Sequence, residues 1–250
     1  MTGEEVAWIL AAGAATSVGA VGLLLVRRPS ERALDTLLGF TAGIMLAATV
    51  FSLLVPALER GALWEVAVGF TLGGLTLAAL DRLVPHVHLR FLERGGQRPA
   101  DVSASQRSLL LLSALTIHNV PEGLAVGVAF AAGGPDLGVP IALAIGIQNV
   151  PEGFAAAAPL VGTGVSRPAA AAIAALTGVV EPPAAFAAFG VFDVASALLV
   201  GGLAFAAGAM LYVVVDELVP ESHARGNERD ASLALLAGFL VMMGLDTAFG

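Results

Sequence analysis

A chain of 250 residues that is 57% hydrophobic and 13% charged, with mean hydropathy +0.87, is too apolar for a water-soluble domain and has the composition of a polytopic membrane protein. It contains no cysteine, which excludes disulfides and thiolate metal sites, so His, Glu, Asn, Gln and Met must supply any metal ligands. Its net charge of −8 argues against nucleic acid as a partner.

A helix needs about twenty apolar residues to cross a bilayer. Eight stretches qualify: 6–26, 34–58, 63–83, 107–131, 139–162, 169–190, 195–219 and 231–249. The fold expected is therefore an all-α membrane protein of eight transmembrane helices, a single domain over 1–250. The first stretch follows Glu4 and Glu5 and precedes Arg27 and Arg28. A secretory signal has the opposite charge order, so this run reads as a retained span. The second carries Met45, Thr49 and Ser52 at i, i+4 and i+7, one stripe on a helix. A stripe of this kind is more often core than ligand. The longest connection, 84–106, contains the polar linker Gly95-Gly96-Gln97-Arg98-Pro99 and no independent domain.

All twelve basic residues are arginine. Arg27, Arg28, Arg32, Arg82, Arg90, Arg94, Arg98, Arg107, Arg167, Arg225 and Arg229 fall in or beside the first, third, fifth and seventh connections, and only Arg60 falls on the other side. The positive-inside rule puts those connections in the cytoplasm and both termini outside, in a cell (inner) membrane. The outer side carries Glu4, Glu5, Glu59, Glu65, Asp136, Asp193 and Asp246, a field that attracts cations.

Chemistry concentrates in the fourth and fifth spans. Ile117-His118-Asn119-Val120-Pro121-Glu122-Gly123 returns thirty residues later as Ile147-Gln148-Asn149-Val150-Pro151-Glu152-Gly153. Ionisable groups inside a membrane are costly and usually functional. His118 and Glu122 are i and i+4, as are Gln148 and Glu152, so each pair shares a helix face. Each proline removes an N–H and frees the carbonyl of Ile117 or Ile147, which predicts a kink. Span six has Glu181 followed by Pro182-Pro183, so the helices four to six are each expected to be kinked at an acid. Three neighbouring carboxylates repel one another, and a divalent cation removes that cost.

For a lone His or Glu the bland reading is a buried, hydrogen-bonded core residue. Three such acids, each beside a proline and two in matching motifs, favour a mid-membrane metal site instead, with His118 a ligand suited to zinc and its neighbours. Asn119 and Asn149 fit two roles equally, as ligands or as bonds between helices. Gln148 is a weaker ligand than His, and support from behind the ligands is the alternative. Toward the cytoplasmic ends lie Asp81, His86, His88, Asp216, Glu217, Glu221 and His223, singly an ordinary headgroup region and together a set able to receive a released cation.

These motifs resemble the ZIP (Zrt/Irt-like) family of metal-ion transporters, in its prokaryotic branch. The marks are HNVPEG, QNVPEG and Glu181-Pro182, with weaker ones at Ala42–Ala48 and at Glu217-Leu218-Val219-Pro220-Glu221. The resemblance implies a two-metal centre. His118, Glu122, Gln148 and Glu152 would hold one ion with Met45 nearby. Asn119, Glu122, Asn149, Glu152 and Glu181 would hold the second. It also implies Ser52 on the outer approach, and His86, His88, Asp216, Glu217 and His223 along inward release. Spans one, four, five and six would move against two, three, seven and eight, in a homodimer.

The chain departs from many relatives in carrying Gln148 for His, and from some in carrying Asn149 for Asp. The second ion is therefore expected to bind weakly. The reading is a carrier of divalent transition-metal ions, zinc first and then cadmium or iron, into the cytoplasm, with no catalytic cofactor. The rival readings are an intramembrane metalloenzyme, which lacks an HExxH pair and a spare general base, and a metal-selective cation channel.

Overall fold

The computed structural model describes residues 1–26, 30–83, 104–162, 164–194 and 198–249. The described residues are helical and contain no strand. In chain order, α1 is Gly3–Gly22 and α2 is Glu31–Ala47, which runs through a π-helical segment, Ala48–Leu54, into α3, Val55–Arg60. Then come α4 (Leu63–Leu83), α5 (Ala104–Gly162) and α6 (Arg167–Thr177). A short 3-10 turn, Gly178–Val180, leads into α7 (Glu181–Val194). Finally α8 (Leu199–Val213) passes through a second π-helical segment, Val214–Leu218, into α9 (Val219–Ser222), followed by α10 (Glu228–Phe249). Seven helical runs among the described residues are long and apolar enough to cross a membrane.

The first helix starts earlier than its apolar run because Thr2 caps it. Thr2 Oγ1 accepts from the Glu5 amide at 3.3 Å, and the Glu5 carboxylate accepts from the Thr2 amide at 2.6 Å. Two orphan donors are thereby satisfied, and Glu5 is buried at the helix end rather than free on the surface. The helix ends at Gly22, short of the expected residue 26.

The 59-residue α5 does not run straight. As one rod it would reach about 88 Å, some three times a hydrocarbon core. Gly134, at φ 57° and ψ −146°, breaks it, in a conformation that only glycine adopts readily. The limbs 104–133 and 135–162 then lie side by side, since Gln148 on one bonds Glu122 on the other at 2.6 Å. The expected connection between residues 131 and 139 is thus helical apart from one glycine. Pro121 and Pro151 sit within helical backbone geometry. In the sixth span the interruption comes from Gly178–Val180, directly before Glu181.

Small residues let the helices touch backbone to backbone. A Cβ on Gly43 would lie 2.0 Å from the Leu235 carbonyl oxygen, and one on Gly73 would lie 2.0 Å from that of Phe205. In lipid, where apolar burial gives no drive between helices, such close approach is what holds a bundle together. These approaches sort the helices. Each glycine whose Cβ would fall within 3 Å of a carbonyl oxygen on another helix lies in one of three sets. One set is α1, α5 and the α6–α7 run. The other two are the pairs α2 with α10 and α4 with α8.

Candidate metal centre

His118, Asn119, Glu122, Gln148, Asn149, Glu152 and Glu181 are all buried, none more than 3% exposed. The two motif copies face each other because α5 turns back at Gly134. Gln148 Nε2 donates to Glu122 Oε1 at 2.6 Å. Asn149 Nδ2 donates to both Glu181 oxygens, at 3.0 and 2.9 Å, and to the Ala12 carbonyl at 3.1 Å. Thr16 Oγ1 donates to Glu181 Oε1 at 3.2 Å. Asn149 therefore ties α1, α5 and α7 together, and it does not bond the carbonyl freed by Pro151. His118 Nδ1 stands 3.0 Å from Glu217 Oε2.

The carboxyl groups of Glu122, Glu152 and Glu181 are near enough for their charges to interact. They do not pool into a ready-made cluster. Among the described residues no three His, Asp or Glu side chains converge tightly enough to hold an ion as they stand. The reason is visible in the bonds: Glu122 is engaged by Gln148, and Glu181 by Asn149 and Thr16.

What remains is a set of buried polar atoms without a hydrogen bond. Both oxygens of Glu152 are among them, with Glu122 Oε2, Gln148 Oε1, Asn119 Nδ2 and Asn149 Oδ1. A buried polar group left unbonded costs about 1–3 kcal/mol, and more if charged. All but one of these six atoms are oxygens, the donor type that carboxylate and amide ligands offer a divalent cation.

The rest of the expected path is placed as follows. Met45 is fully buried in the main core. Thr49 Oγ1 donates to the Met45 carbonyl at 2.7 Å. The segment from Ala48 is π-helical, and Met45, Thr49 and Ser52 are all buried. Ser52 is directed to α10, where it donates to Asp246 Oδ1 at 2.8 Å. Glu217, which the family resemblance put along inward release, stands beside His118 from the π-helical segment Val214–Leu218. Asp216, in the same segment, is half-buried. His223 bonds Ser222 Oγ at 2.9 Å, the Val219 carbonyl at 2.8 Å and Ser232 Oγ at 3.1 Å, which pins the end of α9 to α10. His86 and His88 lie outside the described residues.

Sequence reading missed Thr16 and the Ala12 carbonyl. The available signal was a small-residue stripe on α1, with Ala12, Thr16 and Gly19 at i, i+4 and i+7. It also missed Asp35, which is wholly buried on α2. Asp35 Oδ1 accepts from Arg225 Nη1 at 2.9 Å, and Oδ2 accepts from Asn227 Nδ2 at 2.9 Å. Arg225 also donates to the Glu221 carboxylate and, at 3.1 Å, to the Glu221 carbonyl. Burial alone would lower the pKa of Arg225, but Glu221 and Asp35 more than offset that and raise it above the usual arginine value. A cavity of about 50 Å³ has Arg225, Glu221 and Glu152 among its lining residues.

Residues 92–246 match the family model described as ZIP Zinc transporter. The chain is 43% identical to Zinc transporter GufA of Myxococcus xanthus, over 96% of this chain and 97% of that one. The chain belongs to the ZIP family. It is also 40% identical to Zinc transporter ZIPB of Bordetella bronchiseptica, over 95% of this chain and 78% of that protein. With Zinc transporter ZIP11 of Homo sapiens it shares 35% identity over 94% of each chain. As a ZIP protein of the prokaryotic type it is a metal-ion transporter rather than an enzyme. It is a multi-pass membrane protein, whose place in a prokaryote is the inner membrane.

Proposed function

We propose that this ZIP protein carries divalent transition-metal ions, zinc first and then cadmium or iron, into the cytoplasm. The chain would cross the membrane eight times, with α5 counted as two crossings joined at Gly134 and both termini outside. The observation that carries the reading is Glu152: a carboxyl 2% exposed with neither oxygen hydrogen-bonded, in a motif pair that also leaves oxygens of Glu122, Gln148 and Asn149 buried and unbonded. A divalent cation drawing these side chains together would satisfy them.

In this reading Glu122, Gln148 and Glu152 hold the first ion, with His118 joining when it leaves Glu217 and Met45 close by. Asn119, Asn149 and Glu181 complete a second seat together with the shared carboxylates. The second seat is the weaker one. Three carboxylates carry −3 against the +4 of two divalent ions, and Glu181 already accepts three hydrogen bonds. The glycine contacts that join α1, α5 and the α6–α7 run to one another and to no other helix support a carrier in which they shift as a body against the rest. His118 and Glu217 meet across that seam. The homodimer is part of the same reading, and the outer face of α4, with Trp64, Val68, Leu72 and Leu75 exposed, is one apolar surface for lipid or a second copy.

The test is uptake into zinc-free liposomes holding a zinc-responsive dye, paired with titration of the purified protein. Saturable zinc-dependent signal is expected, with one tight binding event and one weaker. Absence of flux in folded protein would sink the transport reading, and two equally tight sites would sink the ranking of the seats.

A further inference from the structure

The short cavity lined by Glu152 is lined also by a side chain the transport reading does not use. Its walls come from more than one helix set: Ala155 and Pro159 on α5, Leu38 on α2, and Glu221 and Arg225 beyond the π-helical end of α8. At about 50 Å³ it has room for a very few waters, too little for a divalent ion that keeps its hydration shell. One of its lining residues is Arg225, whose guanidinium is held on Asp35 and on Glu221.

We propose that Arg225 is the inner gate of the path, a tethered cation that shuts the mouth between Glu152 and the cytoplasm and must swing aside before a metal ion can leave. The proposal rests on the transport reading for the identity of what passes, and not for the closure itself. The two carboxylates differ in what they can do. Asp35 is wholly buried and bonded through both oxygens, so it is the anchor. Glu221 has half its side chain in solvent, so it is the side that can let go. With Arg225 turned outward, Asp35 and Glu221 would face the cavity as a negative pair. A cation leaving Glu152 would then exchange with the guanidinium, one positive charge replacing another, so the mouth is never left with two unpaired acids. Like charge also explains why a closed gate would repel a returning ion.

The chain has no cysteine, so a single introduced thiol reports access without background. Ala155→Cys lines the cavity, and Thr49→Cys, buried one turn past Met45, does not. Each is treated, in inside-out vesicles, with a small cationic thiosulfonate reagent. Arg225→Ala is expected to speed modification of Ala155→Cys about ten-fold or more, the size of effect that loss of a charge-assisted contact produces. Arg225→Lys, which keeps the charge and loses the fork, should fall between. Arg225→Ala leaves Asp35 buried without its charge partner and could unfold the protein. The double variant Arg225→Gln with Asp35→Asn removes both charges and keeps hydrogen-bonding groups, and it should open the gate as far. An unchanged rate in that folded double variant overturns the proposal. So does an equal rise at Thr49→Cys, which would mean general loosening. If the natural chain moves no zinc while access still depends on Arg225, the gate stands and the transport reading falls. If it moves zinc and access ignores Arg225, the reverse holds.

Discussion

In the first motif copy His118 reaches across the seam to Glu217, Asn119 keeps an unbonded amide nitrogen, and Glu122 accepts one bond from Gln148. In the second copy Gln148 turns toward the first copy, Asn149 makes three bonds to α1 and α7, and Glu152 has no bond at all. The two segments differ at one position, yet nearly every side chain has a different partner. Even the closing glycines diverge: a Cβ on Gly123 would lie 2.3 Å from the Glu181 carbonyl oxygen, and one on Gly153 would lie 2.1 Å from that of Thr16. A repeated sequence thus supplies repeated backbone geometry, while neighbouring helices decide what each copy does. The first copy reaches Glu217 beyond α8. The second bonds α1, α7 and the first copy, and keeps its carboxyl unbonded.

The largest separation of the copies should come from their acids. Glu152→Ala and Glu122→Ala are both expected to abolish uptake, by more than the roughly 10–100-fold that loss of a supporting group costs a metal site. The metal-free proteins should differ. Glu152 makes no hydrogen bond, so Glu152→Gln should leave thermal stability unchanged or raise it while removing the stabilisation that zinc confers. Glu122→Ala strands the Gln148 amide and should lower stability. Normal uptake in Glu122→Ala would remove the assignment, and equal stability losses in the two would erase the contrast.

Next come the glycines. Gly153→Ala and Gly123→Ala each push a methyl into a carbonyl oxygen, at a cost of about 1–3 kcal/mol for overpacking. Gly153→Ala moves α1 and with it the Thr16 hydroxyl, so it should also weaken the second ion seat at Glu181. Gly123→Ala pushes Glu181 directly. Denaturation with and without zinc would read both, and tolerance of either at natural stability would show that the helix pairs are not in backbone contact.

The asparagines give a smaller and one-sided effect. Asn149→Ala removes three hydrogen bonds, two of them to a carboxylate, and should cost about 2–4 kcal/mol. Asn119→Ala removes an amide nitrogen that bonds nothing and should cost well under half of that. Equal losses would mean that the two copies share a structural role.

Much of this was readable in the residues, and the parts that were not have physical causes. The apolar runs gave the helices, and the paired His/Gln-Asn-Val-Pro-Glu-Gly segments gave the buried acids. Ala12 contributes only a backbone carbonyl, which every residue has and no sequence advertises. Thr16 is one hydroxyl in an Ala/Gly-rich run, and its meaning depends on α7 being adjacent. The contacts of Glu217 with His118 and of Ser52 with Asp246 were not foreseen, because both residues lie in π-helical segments, where 3.6 residues per turn no longer predicts the face. Asp35 reads as a surface acid after Arg32, and only the return of the chain at Arg225 buries it.

The finest test makes the copies alike. Gln148→His gives both motifs an imidazole, a better ligand than an amide oxygen for zinc. The gain is offset by a loss, since the amide that now donates to Glu122 disappears. An imidazole in that place can donate through one nitrogen while the other faces the ion, so part of the bond is recovered. Affinity of the first seat should therefore rise only a few-fold, with little change in metal-free stability, and zinc titration would measure it. A large rise would mean that Gln148 never contributed its oxygen and served only to hold Glu122. A fall would mean that the bond to Glu122 matters more to the site than the ligand itself, and that the second copy shapes the first rather than binding beside it.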